Sequence, residues 1–508
     1  MLTFITRRLL AGIATLFVAI FLMYLLVDLA IDPLADLREY RGADKAARIA
    51  AREDMLNLDT NVVVRFFQWL GHAFQGDFGI AWRSGQDVGT MVSHAIGSTL
   101  QLVTAATVLS LILGVSVGIV SALRQYATFD YLIIFLSFLL YSLPSFWVAV
   151  LLKQWGAIGF NDFLADPALS IPVLIGIAAL MGLLWVLAIG GSVTRRLQTF
   201  GLAFAATLGV MLYVQLTDWW SRPQLGPVLI ALTGVGFAFA LTALSAGLKN
   251  RRALYTALAT VAIGVALYYP LQGFFDSVAP SHLMMFGLAL VAIGVGVLVG
   301  YLFRGPDWGV SARTGGITAF VVAAMIYIDR VMQVWPAYVN SNAINGRPIA
   351  TFGDRTPNLG GNYWVQVLDQ YTHLLLPTLT LILVAFAGYT RYSRSSMLEV
   401  MSQDYIRTAR AKGLSERTVI MRHGFRNSLI PLATIVPIDV ITLIGGAVVT
   451  ERIFNRPGMG ALFLNSLQEA EIEPVMAYLL ITAALAIIAN IVADLIYAAL
   501  DPRIRVNA

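Results

Sequence analysis

The chain has 508 residues, 58% hydrophobic and 12% charged, with a formal net charge of +5 and a mean hydropathy of +0.75. Water-soluble domains carry charge on roughly a quarter of their residues, so that class is excluded. Cysteine is absent and only five histidines occur, none at ligand spacing, which excludes disulfides and thiolate metal ligands and argues against a protein-built metal centre. The small positive excess fits Lys and Arg at the ends of membrane helices and leaves no footprint for nucleic acid.

Apolar runs of about 20 residues recur along the chain, the length needed to cross a bilayer. They lack the two-residue alternation of barrel strands, so the fold class is an all-α polytopic membrane protein. Hydropathy places about twelve spans, near 8–30, 97–123, 130–153, 170–190, 199–217, 227–247, 253–270, 283–303, 315–335, 371–391, 429–450 and 476–500. The first follows Arg7 and Arg8; its length and the lack of a small-residue cleavage site mark it as a retained span rather than a signal peptide. Residues 31–96 form a long loop in which Ala43 to Leu58 reads as a short amphipathic helix, with Ile49, Met55 and Leu56 on its inner side. Pro144 and Pro377 are expected to kink or begin helices.

Short-loop basic residues set the orientation. Arg7, Arg8, Arg124, Arg195, Arg196, Lys249, Arg251, Arg252, Arg304, Arg313, the stretch from Arg391 to Arg426, and Arg503 and Arg505 all fall on one face of a twelve-span topology. That face is cytoplasmic by the positive-inside rule, which places both termini in the cytoplasm. The basic residues in 31–96 are balanced by Asp36, Glu39, Asp44, Glu53 and Asp54, and loops of that length translocate largely regardless of charge. By character the chain divides into 1–155, 156–345 and 346–508. The middle part consists of plain apolar spans with short connections and reads as an insertion of six helices; an even number is required because both flanks keep their orientation.

Three places carry polar groups that packing alone does not explain. Asp404 to Lys412 is a helix-prone basic segment, with Asp404 and Lys412 complementing the macrodipole and Gly413 supplying a left-handed stop. Tyr405, Thr408, Ala409 and Lys412 share one side, small enough for another subunit's groove to approach, with Tyr405 as an anchor. The competing reading is a basic helix lying on anionic lipid. Glu451 to Gly460 contains the turn Pro457-Gly-Met-Gly460 and the aromatic Phe454, read as exposed; it is either an outer contact and gate or a structural re-entrant turn. Asp439 lies within a span and is a candidate for the translocation path, the alternative being a hydrogen bond to a neighbouring helix. Lys153 and Asp494 sit near span ends, where they can snorkel.

The outer parts resemble the dipeptide/oligopeptide permease branch of type I ABC importers. The resemblance runs through Phe4-Ile-Thr-Arg-Arg-Leu-Leu10, Trp69-Leu-Gly-His-Ala-Phe-Gln-Gly-Asp-Phe-Gly79 and Ser142-Leu-Pro-Ser-Phe-Trp147. It is denser in Gln403-Asp-Tyr-Ile-Arg-Thr-Ala-Arg-Ala-Lys-Gly-Leu414, Arg426-Asn-Ser-Leu-Ile-Pro431, Glu451-Arg-Ile-Phe-Asn-Arg-Pro-Gly-Met-Gly460 and Leu500-Asp-Pro-Arg503. It does not extend to 156–345. It implies a six-helix core carrying about six inserted helices, in the plasma membrane of a bacterial cell. Asp404, Tyr405, Arg407, Thr408, Ala409, Ala411, Lys412, Gly413 and Leu414, within the loop 392–428, would dock an ATPase subunit. Glu451, Phe454, Pro457, Gly458 and Gly460 would form an outer gate or touch a solute-binding protein.

The partners so implied are a second homologous permease, two ATPase subunits and an extracytoplasmic solute-binding protein. No phosphate-binding loop of the Gly-x-x-x-x-Gly-Lys-Ser/Thr type occurs, so the chain needs no cofactor of its own and ATP and Mg belong to the ATPases. The implied cargo is a di- or oligopeptide. Import of a nickel chelate, glutathione, haem or an oligosaccharide is the alternative within the family. A proton-coupled secondary transporter is the alternative outside it, and predicts repeat symmetry and paired mid-membrane charges that are not evident.

Overall fold

The computed structural model describes residues 2–304 and 308–500. The last three residues of Leu500-Asp-Pro-Arg503, the tail arginine Arg505 and the side chain of Asp494 lie outside what is described. Among the described residues there is no β-strand. Helices follow one another as α1 (Leu2–Ala30), α2 (Val88–Leu123), α3 (Thr128–Ser142), α4 (Ile171–Ile189), α5 (Val193–Leu216), α6 (Gly226–Ser245), α7 (Arg251–Ala266) and α8 (His282–Leu302). After these come α9 (Trp308–Gln333), α10 (Tyr363–Ser402), α11 (Asp404–Ala411), α12 (Ile430–Gly446), α13 (Val448–Ile453), α14 (Met459–Gln468) and α15 (Ile472–Leu500), with shorter helices between.

Nine of the described helices are long and apolar enough to cross a membrane, and two bent pairs raise the number to eleven. Of the roughly twelve expected spans, three differ from a simple crossing. The segment near 130–153 turns by 100° between α3 and the helix starting at Ser145. Leu143 is extended and Pro144 has no N–H to continue the helix. The segment near 253–270 bends by 45° after α7. The segment near 429–450 is α12, only 17 residues long with Pro437 inside it, at the lower limit for a crossing. Pro377 instead sits within the continuous 40-residue α10.

The core is organised on α2 and α10, which lie along each other. Glycines make that contact possible. A Cβ on Gly114 would stand 2.7 Å from Tyr389 Cβ, and one on Gly118 would stand 2.5 Å from the Thr390 carbonyl. Close backbone approach through small residues is how helices associate when lipid removes the usual hydrophobic drive. At one end of this seam Asp130 of α3, 1% exposed, receives both Nε and Nη2 of Arg394, at 2.8 and 2.9 Å, together with Ser121 and the Tyr126 N–H. The carboxylate is thus fully used. Helix α15 packs on α1 and α12, and Phe66 from the helix Val62–Ala73 fills one end with Tyr24, Phe21 and Met476.

The loop 31–96 departs from expectation at its amphipathic helix. Lys45–Met55 is helical, but Met55 is exposed. Arg52 takes the inner position instead, bonded to Asp36 at 2.6 Å and the Pro33 carbonyl at 3.0 Å, with its guanidinium 3.9 Å from the Trp82 ring. A cation stacked on indole and paired with a carboxylate outcompetes the flexible Met side chain for that side.

The middle third forms two units. Helices α4 and α5 make a hairpin beside α3, and α6 to α9 form a four-helix bundle around Ile230, Ala257, Val261 and Val322. Asp329, wholly buried, accepts from the Leu225 and Gly226 N–H groups and from Tyr268 and Gln333, tying the start of α6 to α9. The bundle joins the core where Tyr338 reaches Asp369 and Thr372 of α10, and where Tyr327 meets Tyr371.

Gly118→Val should force α2 and α10 apart and cost about 1–3 kcal/mol by overpacking. A lower melting temperature of the detergent-solubilised chain, with Gly176→Val on an open face unchanged, is the expected result.

Candidate functional site

The polar features collect at the two ends of α10. At its C-terminal end a single residue, Gln403, separates it from α11, so the short helix continues directly from the longest one. Ser402 and Gln403 break the helix, and Gly413, at φ +73, ends α11 as expected. Ile406 and Ala409 are buried against Val419 and Met401. The outward face therefore differs from the expected one. Asp404, Tyr405, Arg407, Thr408, Ala411, Lys412, Gly413 and Leu414 are exposed, whereas Ala409 faces the chain's own interior. Helical spacing alone could not separate these faces, because Ile406 is the apolar residue that decides which side turns in. Tyr405 is half fixed: its hydroxyl accepts from Asn427 at 3.0 Å. Arg410 pairs with Glu416 at 2.6 Å and holds that carboxyl below its ordinary range. Arg417, just beyond, donates to the Leu244 carbonyl at the end of α6 at 2.8 Å.

Near the N-terminal ends of α2 and α10, Glu451 to Gly460 is a folded unit. Glu451 is fully buried. Its Oε1 accepts from the Thr99 hydroxyl at 2.6 Å, and Oε2 from the N–H groups of Gly460 and Ala461 at 2.8 and 3.1 Å. The carboxylate thereby satisfies free donors at the start of α14. Burial pushes its carboxyl above the usual range while these three donors pull the other way. Gly458 and Gly460 are required by closeness, since a Cβ would meet Glu451 at 2.2 Å and the Val448 backbone at 2.6 Å. Phe454 is not exposed. It is 1% accessible and packs with Ala149, Ala157, Ile349 and Leu376, because the turn folds back on the core instead of standing out. Of the five residues expected to contact a partner, only Pro457 is exposed; Arg452 and Asn455 are the other exposed positions there. Lys153 donates to the Ile453 carbonyl at 3.3 Å rather than simply snorkelling.

Asp439 hydrogen-bonds Tyr389 of α10, the structural alternative foreseen for it. Sequence reasoning missed Arg456, which is 1% exposed, and Gln101 and Gln370, bonded to each other at 3.0 Å. The signal available for Arg456 was a charge placed between Phe454 and Pro457 in a turn that otherwise buries itself.

The chain's long apolar helices are fit to cross a membrane, and comparison with known proteins gives the class. Residues 314–506 match the family model described as binding-protein-dependent transport system inner membrane component. The chain also covers 98% of a putative peptide permease protein of Brucella suis biovar 1, at 32% identity over 338 residues, 62% of this chain. It belongs to that family of multi-pass inner-membrane transport components. It is similar over its whole length to the oligopeptide transport system permease protein OppB of Mycobacterium tuberculosis H37Rv, at 27% identity over 507 residues covering all of both chains. It is also 34% identical over 236 residues to the dipeptide transport system permease protein DppB of Escherichia coli K12, covering 44% of this chain and 68% of that one. The full-length alignment runs through 156–345, so the middle third has a counterpart in the mycobacterial protein.

Glu451→Leu leaves two backbone N–H groups and the Thr99 hydroxyl without their acceptor. A loss on the order of 3 kcal/mol is expected. Hydrogen exchange at Gly460 and Ala461 should rise sharply, and Glu451→Gln should lose less.

Proposed function

We propose that this chain is the permease subunit through which a binding-protein-dependent importer moves di- and oligopeptides. It would supply half of the path, beside a second homologous permease. Two ATPase subunits would bind ATP and Mg on the cytoplasmic side, where both termini lie, and a solute-binding protein would deliver peptide from outside. The observation that supports the peptide reading is the whole-length similarity to a protein named as an oligopeptide permease, middle third included.

The docking surface is the exposed face of α11. Closure of the ATPases would displace α11, and a single intervening residue passes that displacement into α10. A 40-residue helix rises about 60 Å, enough to reach from the cytoplasmic loop to the outer chamber. Tyr405, Arg407, Thr408, Ala411 and Lys412 form the contact; Ile406 and Ala409 hold the helix to the chain. Gly413 allows the left-handed stop, and Leu414 follows it at the rim. At the outer end Glu451, Gly458 and Gly460 shape the gate, Phe454 anchors it, and Pro457 is the position within reach of the binding protein.

Thr408→Trp and Ala411→Trp should leave the chain inserted and folded. ATPase subunits should no longer co-purify, and uptake of labelled tripeptide should fall more than tenfold, about 1.4 kcal/mol or more of lost docking. Ala409→Trp should instead lower the melting temperature, because it strikes Ile406 and Val419. Normal uptake with Thr408→Trp at normal expression would remove the docking role. Reconstituted complex that carries a nickel chelate or haem but no peptide would overturn the cargo assignment.

A further inference from the structure

Between the outer ends of α2 and α10 lies a polar cavity of about 680 Å³. Ser98, Gln101 and Gln370 line it, with Asp87 and Asp354 also in its wall. Ser98 is 5% exposed, and its hydroxyl has no hydrogen-bond partner among the described residues. Gln101 uses its amide oxygen twice, accepting from Gln370 at 3.0 Å and from Arg456 Nη2 at 3.3 Å. Arg456 itself is 1% exposed, and its Nε and Nη1 donate to nothing among the described residues.

A buried guanidinium with two idle donors is a costly arrangement that calls for an explanation. Its two acidic neighbours do not supply one. Asp354 and Glu451 attract it through space, but neither makes a hydrogen bond to it. Glu451 has already committed its carboxylate to Thr99 and the start of α14. What the guanidinium lacks is a planar, two-oxygen acceptor, the group that its fork of donors matches best. Gln101 offers a single neutral oxygen at long range in that place. Arg456 lies behind Gln101 rather than in the lining, so a carboxylate arriving through the cavity would reach the fork by displacing the Gln101 side chain, with the Ser98 hydroxyl available as a further donor. Asp87 and Asp354 place two carboxylates in the wall, beside Arg355 and His94, as acceptors for the ammonium group of a zwitterionic solute.

We propose that this cavity is an outer peptide station in the path, and that Arg456 receives the terminal carboxylate of the peptide, with Gln101 holding its place until then. The inference rests on the peptide reading above and names the group of the substrate that is recognised. It places selectivity for a free carboxyl terminus in the permease, in addition to whatever the binding protein selects.

The test uses the complete importer in proteoliposomes with its binding protein. Trialanine and trialanine amide are compared, each at a concentration that saturates the binding protein. Gln101→Glu installs a tethered carboxylate beside Arg456. It should raise the melting temperature of the complex and lower trialanine uptake about tenfold or more, as expected for competition over a charge-assisted contact. Arg456→Gln should lower trialanine uptake by a similar factor and Arg456→Lys by less, and this difference should vanish for the amide. If Arg456→Gln fails to assemble, Gln101→Glu decides alone, because Gln101 is exposed and its replacement is nearly isosteric. Unchanged trialanine uptake with Gln101→Glu overturns the station. So does an equal loss for trialanine and its amide with Arg456→Gln, which would mark Arg456 as a purely structural part of the turn. A wild-type importer that moves no peptide at all would instead overturn the functional reading.

Discussion

The contact between α2 and α10 is the constraint on which the remaining features depend. In lipid the backbone can be satisfied only within helices, and two helices adhere through close packing and buried polar pairs rather than through expulsion of water. Gly114 and Gly118 bring the backbones together, Ser393 bonds the Gly114 carbonyl at 3.2 Å, and Asp130 locks Arg394 beside them. The outer end of the same seam carries Thr99 against Glu451 and Gln101 against Gln370. Both candidate sites are therefore mounted on one rigid pair, which is what lets a cytoplasmic displacement bear on an outer chamber in the proposed mechanism.

The helices of the middle third are attached to this frame by a repeated chemical device. A helix C-terminus leaves carbonyls without partners and carries the negative end of the macrodipole, so an arginine is a favourable cap. Arg124, just past the end of α2, donates to the Ala188 carbonyl at the end of α4 at 2.7 Å; Arg417 does the same for Leu244 at the end of α6. Gly247, at φ +82, lies so close to Arg417 that a side chain there would overlap the guanidinium. The bundle thus touches the loop following α11 at one end and, through Tyr338 and Asp369, the start of α10 at the other. The division at 156 and 345 was drawn from composition alone. Mechanically the middle third is joined to the same helix that links the two sites.

The membrane class, the helical content and the family were legible because they rest on hydropathy and on ordered motifs such as Gln403 to Leu414 and Glu451 to Gly460. Gly413 was legible too, since its left-handed role is local. What could not be read were facings set by long-range packing. Ala409 turns inward because Val419, ten residues on, receives it along with Ile406. Phe454 is buried because Ala149 and Leu376, remote in sequence, form its pocket. Met55 yields its side to Arg52 only because Trp82 and Asp36 are brought there by the fold. The straightness of spans was equally hidden: Pro144 ends a helix and Pro377 does not, although each lies in an apolar run.

Arg394, partly buried, and Arg456, fully buried, show how satisfaction of charge separates fixed from responsive parts of this chain. Arg394 meets both oxygens of a carboxylate that also accepts from Ser121 and a backbone N–H, so moving it would strand a charge in a medium that cannot solvate it. Arg456 is more enclosed, at 1% exposed, yet among the described residues one neutral amide oxygen is the only acceptor its guanidinium meets. A state that brings it an acceptor gains the full value of a charge-assisted bond without breaking a comparable one. Differential stabilisation of this kind is what allows a solute to shift a conformational equilibrium. At one end of the seam Arg394 is matched to a carboxylate, and at the other Arg456 keeps idle donors, which is where the proposed station would let cargo act on the protein.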